Sequence, residues 1–176
     1  MKGNILRVEL EPQIRVAEEL FSRVFDLISL FDEGYENEDK EKMDEAIHQM
    51  NLLTGKDILP EELFEYWEAE SQEELAFKLS LPEPLKVDHI TKEELVEIIR
   101  RMQSFDDDGI PDKLSIPGVP LSSVLTCSYY DPLLKRHFSY PDPLDLLERQ
   151  LINGEYTEYS AGEIADIIMS HRAIML

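Results

Sequence analysis

The sequence predicts an all-α fold, and three observations predict it. Thr91 and Glu94, Ser71 and Glu74, and Ser160 and Glu163 each stand three residues apart at the head of an apolar stripe. In such a capping box the hydroxyl accepts the third amide of the helix, and the glutamate reaches back to the cap's own amide. Leu95, Ile98, Ile99 and Met102 then fall at i, i+3, i+4 and i+7, one face of a helix. Finally, Ile14, Ala17, Phe21, Val24, Ile28 and Phe31 recur at steps of three and four, with Leu20, Phe25 and Leu27 widening the stripe.

Taken in order, Leu6, Val8 and Leu10 alternate with Arg7, Glu9 and Glu11, a pattern compatible with one short N-terminal strand. Pro12 suits the first turn of the long helix, which runs to about Gly34. A coiled-coil partner could use its stripe, but the pattern spans under three heptads and is broad, so an intramolecular core is the preferred reading. The run Asp32–Glu45 holds eight carboxylates and two lysines, a turn and the solvated face of a second helix. Met43, Ala46, Ile47 and Met50 give that helix its inner face, and Gly55 closes it. Pro60 opens a further helix carrying Leu63, Phe64 and Trp67, and Ser71 launches another through Leu75, Phe77 and Leu79. Leu81–Val87, LPEPLKV, reads as rigid and extended because its prolines supply no amide donors. It divides an acidic helical region, 1–87, from a second unit, 88–176.

In that second unit the helix ITKEELVEIIRRM places Glu93, Glu94 and Glu97 early and Arg100 and Arg101 late, as the helix dipole favours. Ser104–Pro120 is rich in Asp, Pro and Gly and reads as irregular. Its Asp106, Asp108 and Gly109 echo a calcium loop, but Ser115 stands where a bidentate Glu is required, so no calcium is expected there. Asp131-Pro132 and Asp142-Pro143 each resemble an N-cap followed by a first-turn proline, opening short helices to Phe138 and to about Leu151. Asn153-Gly154 is a turn, and Ile164, Ile167, Ile168 and His171 line the last helix.

The net charge is −21, from 17 Lys and Arg against 38 Asp and Glu, and both halves are acidic. Direct nucleic-acid binding draws on basic side chains to displace counterions, so no nucleic-acid partner is expected, nor an anionic membrane surface. Self-repulsion points to a monomer or weak dimer. The start MKGNILRVELEP is too charged for a signal peptide, and no apolar run approaches the ~20 residues of a membrane span. With Cys127 the lone cysteine, a cytoplasmic location is expected. His48, His89, His137 and His171 are far apart in sequence, with no HExxH, so no metal is expected. A Cys127–His137 nucleophile and base lacks any protease-like signature around it, and the cysteine reads as core. No Gly-rich phosphate loop occurs, and no cofactor or catalytic residue is assigned. Tyr129 and Tyr130 could anchor an interface, burying large area at low entropic cost, or one could face the core while the other covers it.

Three segments carry a family resemblance: ITKEELVEIIRRM as a first helix, YPDPLDLL (Tyr140–Leu147) as a short third helix, and YSAGEIADIIMSHRAI as a last helix. DPLLKRHF stands for the end of the second. On these, Asp88–Leu176 resembles the bacteriocin immunity family, small acidic four-helix proteins that neutralise colicin- and pyocin-type nucleases. The resemblance covers about half the chain, and Glu148-Arg149 stand where that family presents a tyrosine pair. It implies a C-terminal four-helix bundle-like unit and a non-enzymatic inhibitor of a basic toxin. Its implied contacts are Asp142, Asp145 and Glu148, with Tyr129, Tyr130 and Tyr140 as anchors. The alternative is an acidic regulatory or assembly module that binds another protein.

Overall fold

The computed structural model describes residues 6–104, 116–152 and 154–171. The protein is mostly helical, with a single two-stranded antiparallel sheet among the described residues. Two units form: 13–82 with 116–120, and 6–12 with 83–104, 121–152 and 154–171. The division therefore falls at Pro82, a few residues ahead of the expected 87, and the first described residues go with the C-terminal ones. The cause is packing, since Leu6 and Leu10 are buried and the Glu11 carboxylate is held by Arg101.

The first unit is built on α1 (Ile14–Glu36), against which α2 (Lys40–Thr54) and α3 (Gln72–Ser80) pack. Its core joins Val24, Ile28 and Phe31 of α1 to Ala46 and Met50 of α2 and to Leu75, Ala76 and Leu79 of α3, with Ile58, Leu63 and Tyr66. Gly34 lets α1 and α2 meet closely, because a Cβ there would lie 2.9 Å from Met43 Cγ and 3.1 Å from the Met43 amide nitrogen. Asp39 caps α2 by accepting the Lys42 amide at 3.1 Å. Gly55, with φ of 71°, closes it in the left-handed conformation that glycine adopts without strain. The helix expected from Pro60 does not form. Two 3-10 turns, Pro60–Glu62 and Tyr66–Glu68, are separated by Leu63, Phe64 and Glu65, the last at φ 57°. Ser71 caps α3, accepting the Glu74 amide at 3.1 Å.

In the second unit α4 (Lys92–Gln103) has its complete capping box, with Glu94 accepting the Thr91 amide at 2.9 Å and Thr91 Oγ1 accepting the Glu94 amide at 3.2 Å. The expected stripe is buried: Leu95, Ile98, Ile99 and Met102. The alternating Leu6–Leu10 stretch forms no strand; Val8–Leu10 is a 3-10 turn with Val8 exposed and Leu10 buried. Asp131 is no N-cap either. Helix α5 (Leu121–Leu125) continues through a π turn, Thr126–Tyr130, into α6 (Asp131–His137), and the Asp131 amide reaches back to the Thr126 carbonyl. A proline inside a helix lacks its amide and crowds the carbonyl four residues back. The wide turn just ahead of Pro132 is the local adjustment that carries the helix through it.

Asp142 does cap, accepting the Leu144 amide at 3.3 Å, but it opens a 3-10 helix, Pro143–Leu147, rather than a helix to Leu151. The chain then pairs β1 (Gln150–Ile152) with β2 (Glu155–Thr157). Gly154, at φ 88°, supplies the turn; its expected neighbour Asn153 lies outside the described residues. Ser160 and Glu163 form the last complete capping box ahead of α7 (Ala161–Ser170), which packs on α4. His171 is exposed rather than packed in a stripe. The Asp106–Asp112 loop also lies outside the described residues.

Candidate functional site

Within the second unit, α4 and the Thr126–Tyr130 turn are joined by a buried polar network that accounts for two of the expected anchors. Arg101 donates to both oxygens of Glu11 at 2.7 and 3.0 Å, to Glu97 Oε1 at 3.3 Å and to the Tyr130 hydroxyl at 3.1 Å. Tyr129 donates to the Glu11 carbonyl at 3.0 Å, and its ring meets that of Tyr130 edge-on at 5.4 Å. Although burial works against its charge, the Glu11 hydrogen bonds hold the Arg101 guanidinium above its ordinary pKa. Burial likewise pushes both tyrosines up. Tyr129 and Tyr130 are 2% and 3% exposed, so as folded neither offers a face to a partner. Both rings pack against each other, and their hydroxyls find partners in Arg101 and the Glu11 carbonyl.

The other expected contacts lie toward the surface. Tyr140 is half-buried, its ring edge-on to His171 at 5.0 Å. Asp142 is half-buried at the head of the 3-10 helix, 3.5 Å from Lys135 Nζ, which Asp131 also holds at 2.8 Å. Asp145 and Glu148 are exposed. Their backbone carbonyls both accept the Gln150 side-chain amide, at 2.7 and 3.1 Å, which ties the 3-10 helix to β1.

Beside them, an open groove of about 1010 Å³ is lined by the end of α4, Leu147–Arg149, Glu158–Ser160 and Glu163 near the head of α7. Among these residues Gln103 donates to the Tyr159 carbonyl at 2.8 Å, and the exposed Arg149 pairs with Glu158 at 2.7 Å. Glu163, accepting from Ser160, is held below the ordinary carboxylate range. The charged lining of the groove is Glu148, Glu158 and Glu163 against Arg149, and the rest is apolar or neutral.

His137 uses both ring nitrogens on backbone: Nδ1 at 2.8 Å from the Leu133 carbonyl, and Nε2 accepting the Val87 amide at 3.1 Å. That straps the extended chain at Val87 onto α6. Cys127 is exposed, contrary to its reading as core, and stands ten residues before His137, about 15 Å along a helix. Among the described residues no three His, Cys, Asp or Glu side chains are gathered to hold a metal ion. No described helix is long and apolar enough to cross a membrane.

A surface that the sequence patterns did not single out lies on the first unit. Tyr35, Phe64 and Trp67 are exposed by 40, 40 and 52%, and the Tyr35 ring contacts Phe64 at 5.6 Å and Trp67 at 6.0 Å. Two buried rings back them, Phe31 behind Phe64 at 5.6 Å and Tyr66 behind Trp67 at 5.5 Å. The available signal was the interleaving in LFEYWEAE, Leu63–Glu70, where aromatic and acidic residues alternate too tightly for one helix face to bury all the rings. No family model, no curated protein and no solved structure matches this chain.

Proposed function

We propose that this chain is a non-enzymatic acidic binding protein that inhibits a basic toxin by occupying it directly, in the manner the bacteriocin immunity family suggests. The supporting observation is the exposed carboxylate surface at Asp145 and Glu148, of which Glu148 also lines the groove together with Glu158 and Glu163. Carboxylates arranged this way act first on encounter, since steering by opposite charge lifts association well above the neutral range and is screened within about 8 Å at physiological salt. One observation favours the wider reading of an acidic regulatory or assembly module. Tyr129 and Tyr130 are buried and Glu148-Arg149 occupy the place of the family's tyrosine pair, so neither position presents a paired aromatic anchor.

The test is stopped-flow association with a purified colicin-type nuclease domain. The double variant Asp145→Lys, Glu148→Lys should slow association by about tenfold and flatten its salt dependence, with little effect on the fold because both groups are exposed. A variant that associates as fast as the parent, or a panel of basic nuclease domains none of which binds, overturns the toxin reading.

A further inference from the structure

The aromatic surface on the first unit belongs to none of the chemistry proposed for the second. Its three outer rings come from two places, Tyr35 near the end of α1 and Phe64 and Trp67 on the turns after Pro60. Glu65 makes the arrangement. Its left-handed backbone, φ 57°, reverses the chain so that Leu63 and Tyr66 turn inward while Phe64 and Trp67 turn out. The outer rings are seated on Phe31 and Tyr66, and Tyr66 is itself fixed by donating to Asp32 at 2.8 Å. Large aromatic side chains on a rigid base are the anchors most often found at the energetic centre of protein interfaces.

The surroundings of the rings state what kind of partner fits. No Lys or Arg occurs between Arg23 and Lys40 or between Lys56 and Lys78, the two stretches that supply the rings. Lys42 and Lys78 reach in to pair with Glu33 and Glu70 at 2.7 and 2.8 Å. Glu36, Glu65 and Glu68 are exposed and make no ion pair among the described residues. The electron-rich faces of Tyr and Trp attract a cation, and the neighbouring carboxylates add to that attraction. Phosphate-bearing partners are repelled by the same rim, and a second copy would bring like charges face to face.

We infer that Tyr35, Phe64 and Trp67 form a docking surface for a basic amphipathic segment of a partner protein, its apolar side chains on the rings and its arginines among Glu36, Glu65 and Glu68. This surface goes beyond the toxin-inhibitor reading and stands whether or not the partner is a toxin.

Trp67 is the chain's sole tryptophan, so its emission reports on this surface alone. The probe is a synthetic helical peptide with leucine on one face and arginine on the other, titrated into the full chain by fluorescence and calorimetry. A saturable blue shift of Trp67 emission is expected, absent with the same peptide carrying glutamate for arginine. Tyr35→Ala should weaken binding by about tenfold or more. Because ring removal could disturb the fold, Glu65→Gln with Glu68→Gln serves as the second variant, and it should weaken binding and flatten its salt dependence. Asp145→Lys with Glu148→Lys should leave the peptide's affinity unchanged, which separates this surface from the one proposed for the toxin. Binding that leaves Trp67 emission unmoved, or equal binding of the glutamate peptide, overturns the inference. So does a Trp67 blue shift on concentrating the free protein, which would make a second copy the occupant, or one on adding anionic vesicles.

Discussion

Asp32 and Tyr66 show how a single side chain can oppose the fold that holds it. Tyr66 donates to Asp32 Oδ2, but Oδ1 is buried with no hydrogen-bond partner among the described residues. Burial raises the Asp32 pKa above its ordinary 3.8, the Tyr66 hydrogen bond works the other way, and Glu36 adds to the rise. A raised carboxyl pKa means the folded state prefers the protonated group. Its contribution to stability is therefore fully present below 3.8 and is lost as pH rises through the folded value. Asp32→Asn should leave the first unit at least as stable as the parent at neutral pH, with that advantage gone at roughly pH 3.5, below the ordinary carboxylate value. Tyr66→Phe, which leaves both carboxylate oxygens unpartnered, should cost about 1–3 kcal/mol. Urea unfolding of both variants at the two pH values decides it.

Helices α1 and α2 depend on one missing methyl group. The Cβ of an alanine at position 34 would lie within 3.2 Å of the Met43 side chain, the Met43 amide nitrogen and the Asp39 carbonyl. The Met43 side chain can swing away, but the two backbone atoms cannot without moving the start of α2. Gly34→Ala gains helix propensity and loses more to overpacking, for a net cost of about 1–3 kcal/mol, read as a lower midpoint in thermal unfolding. An unchanged midpoint would mean that the two helices have room to part. The same scale explains why the Asp-Pro pairs mislead. Asp142-Pro143 begins a helix, whereas Asp131-Pro132 lies within one, and the difference is the run Leu121–Tyr130 upstream of it. Its buried Leu121, Val124, Leu125, Tyr129 and Tyr130 stabilise a helix that would otherwise begin at the proline.

A charge of −21 on 176 residues acts on the molecule as a body. At low ionic strength the Debye length is about 30 Å, so like-charged copies repel well before they touch. The chain should sediment as a monomer in low salt at micromolar concentration. Added salt, by screening repulsion within each copy, should raise its unfolding midpoint. Tight dimers in low salt would require apolar contact strong enough to override that repulsion, and the aromatic surface at Tyr35, Phe64 and Trp67 would be the first place to look for it.

The sequence by itself determined the helical class, the long α1, the Gly55 stop and the caps at Ser71, Thr91 and Ser160. Those features are local, written in side chains three or four residues from the amides they satisfy. It also placed Glu97 early and Arg101 late on α4, but not that the two would pair with Glu97 buried at 5% exposure, because that depends on Glu11 and Tyr130 arriving from distant segments. The candidate site divided the same way. Asp145 and Glu148 are exposed as their charge implies, while Tyr129 and Tyr130 went inside because hydroxyl partners were waiting at Glu11 and Arg101. Apolar residues that pack and apolar residues that bind a partner have the same chemistry, so only tertiary structure could decide that Tyr129 is core and Trp67 is surface.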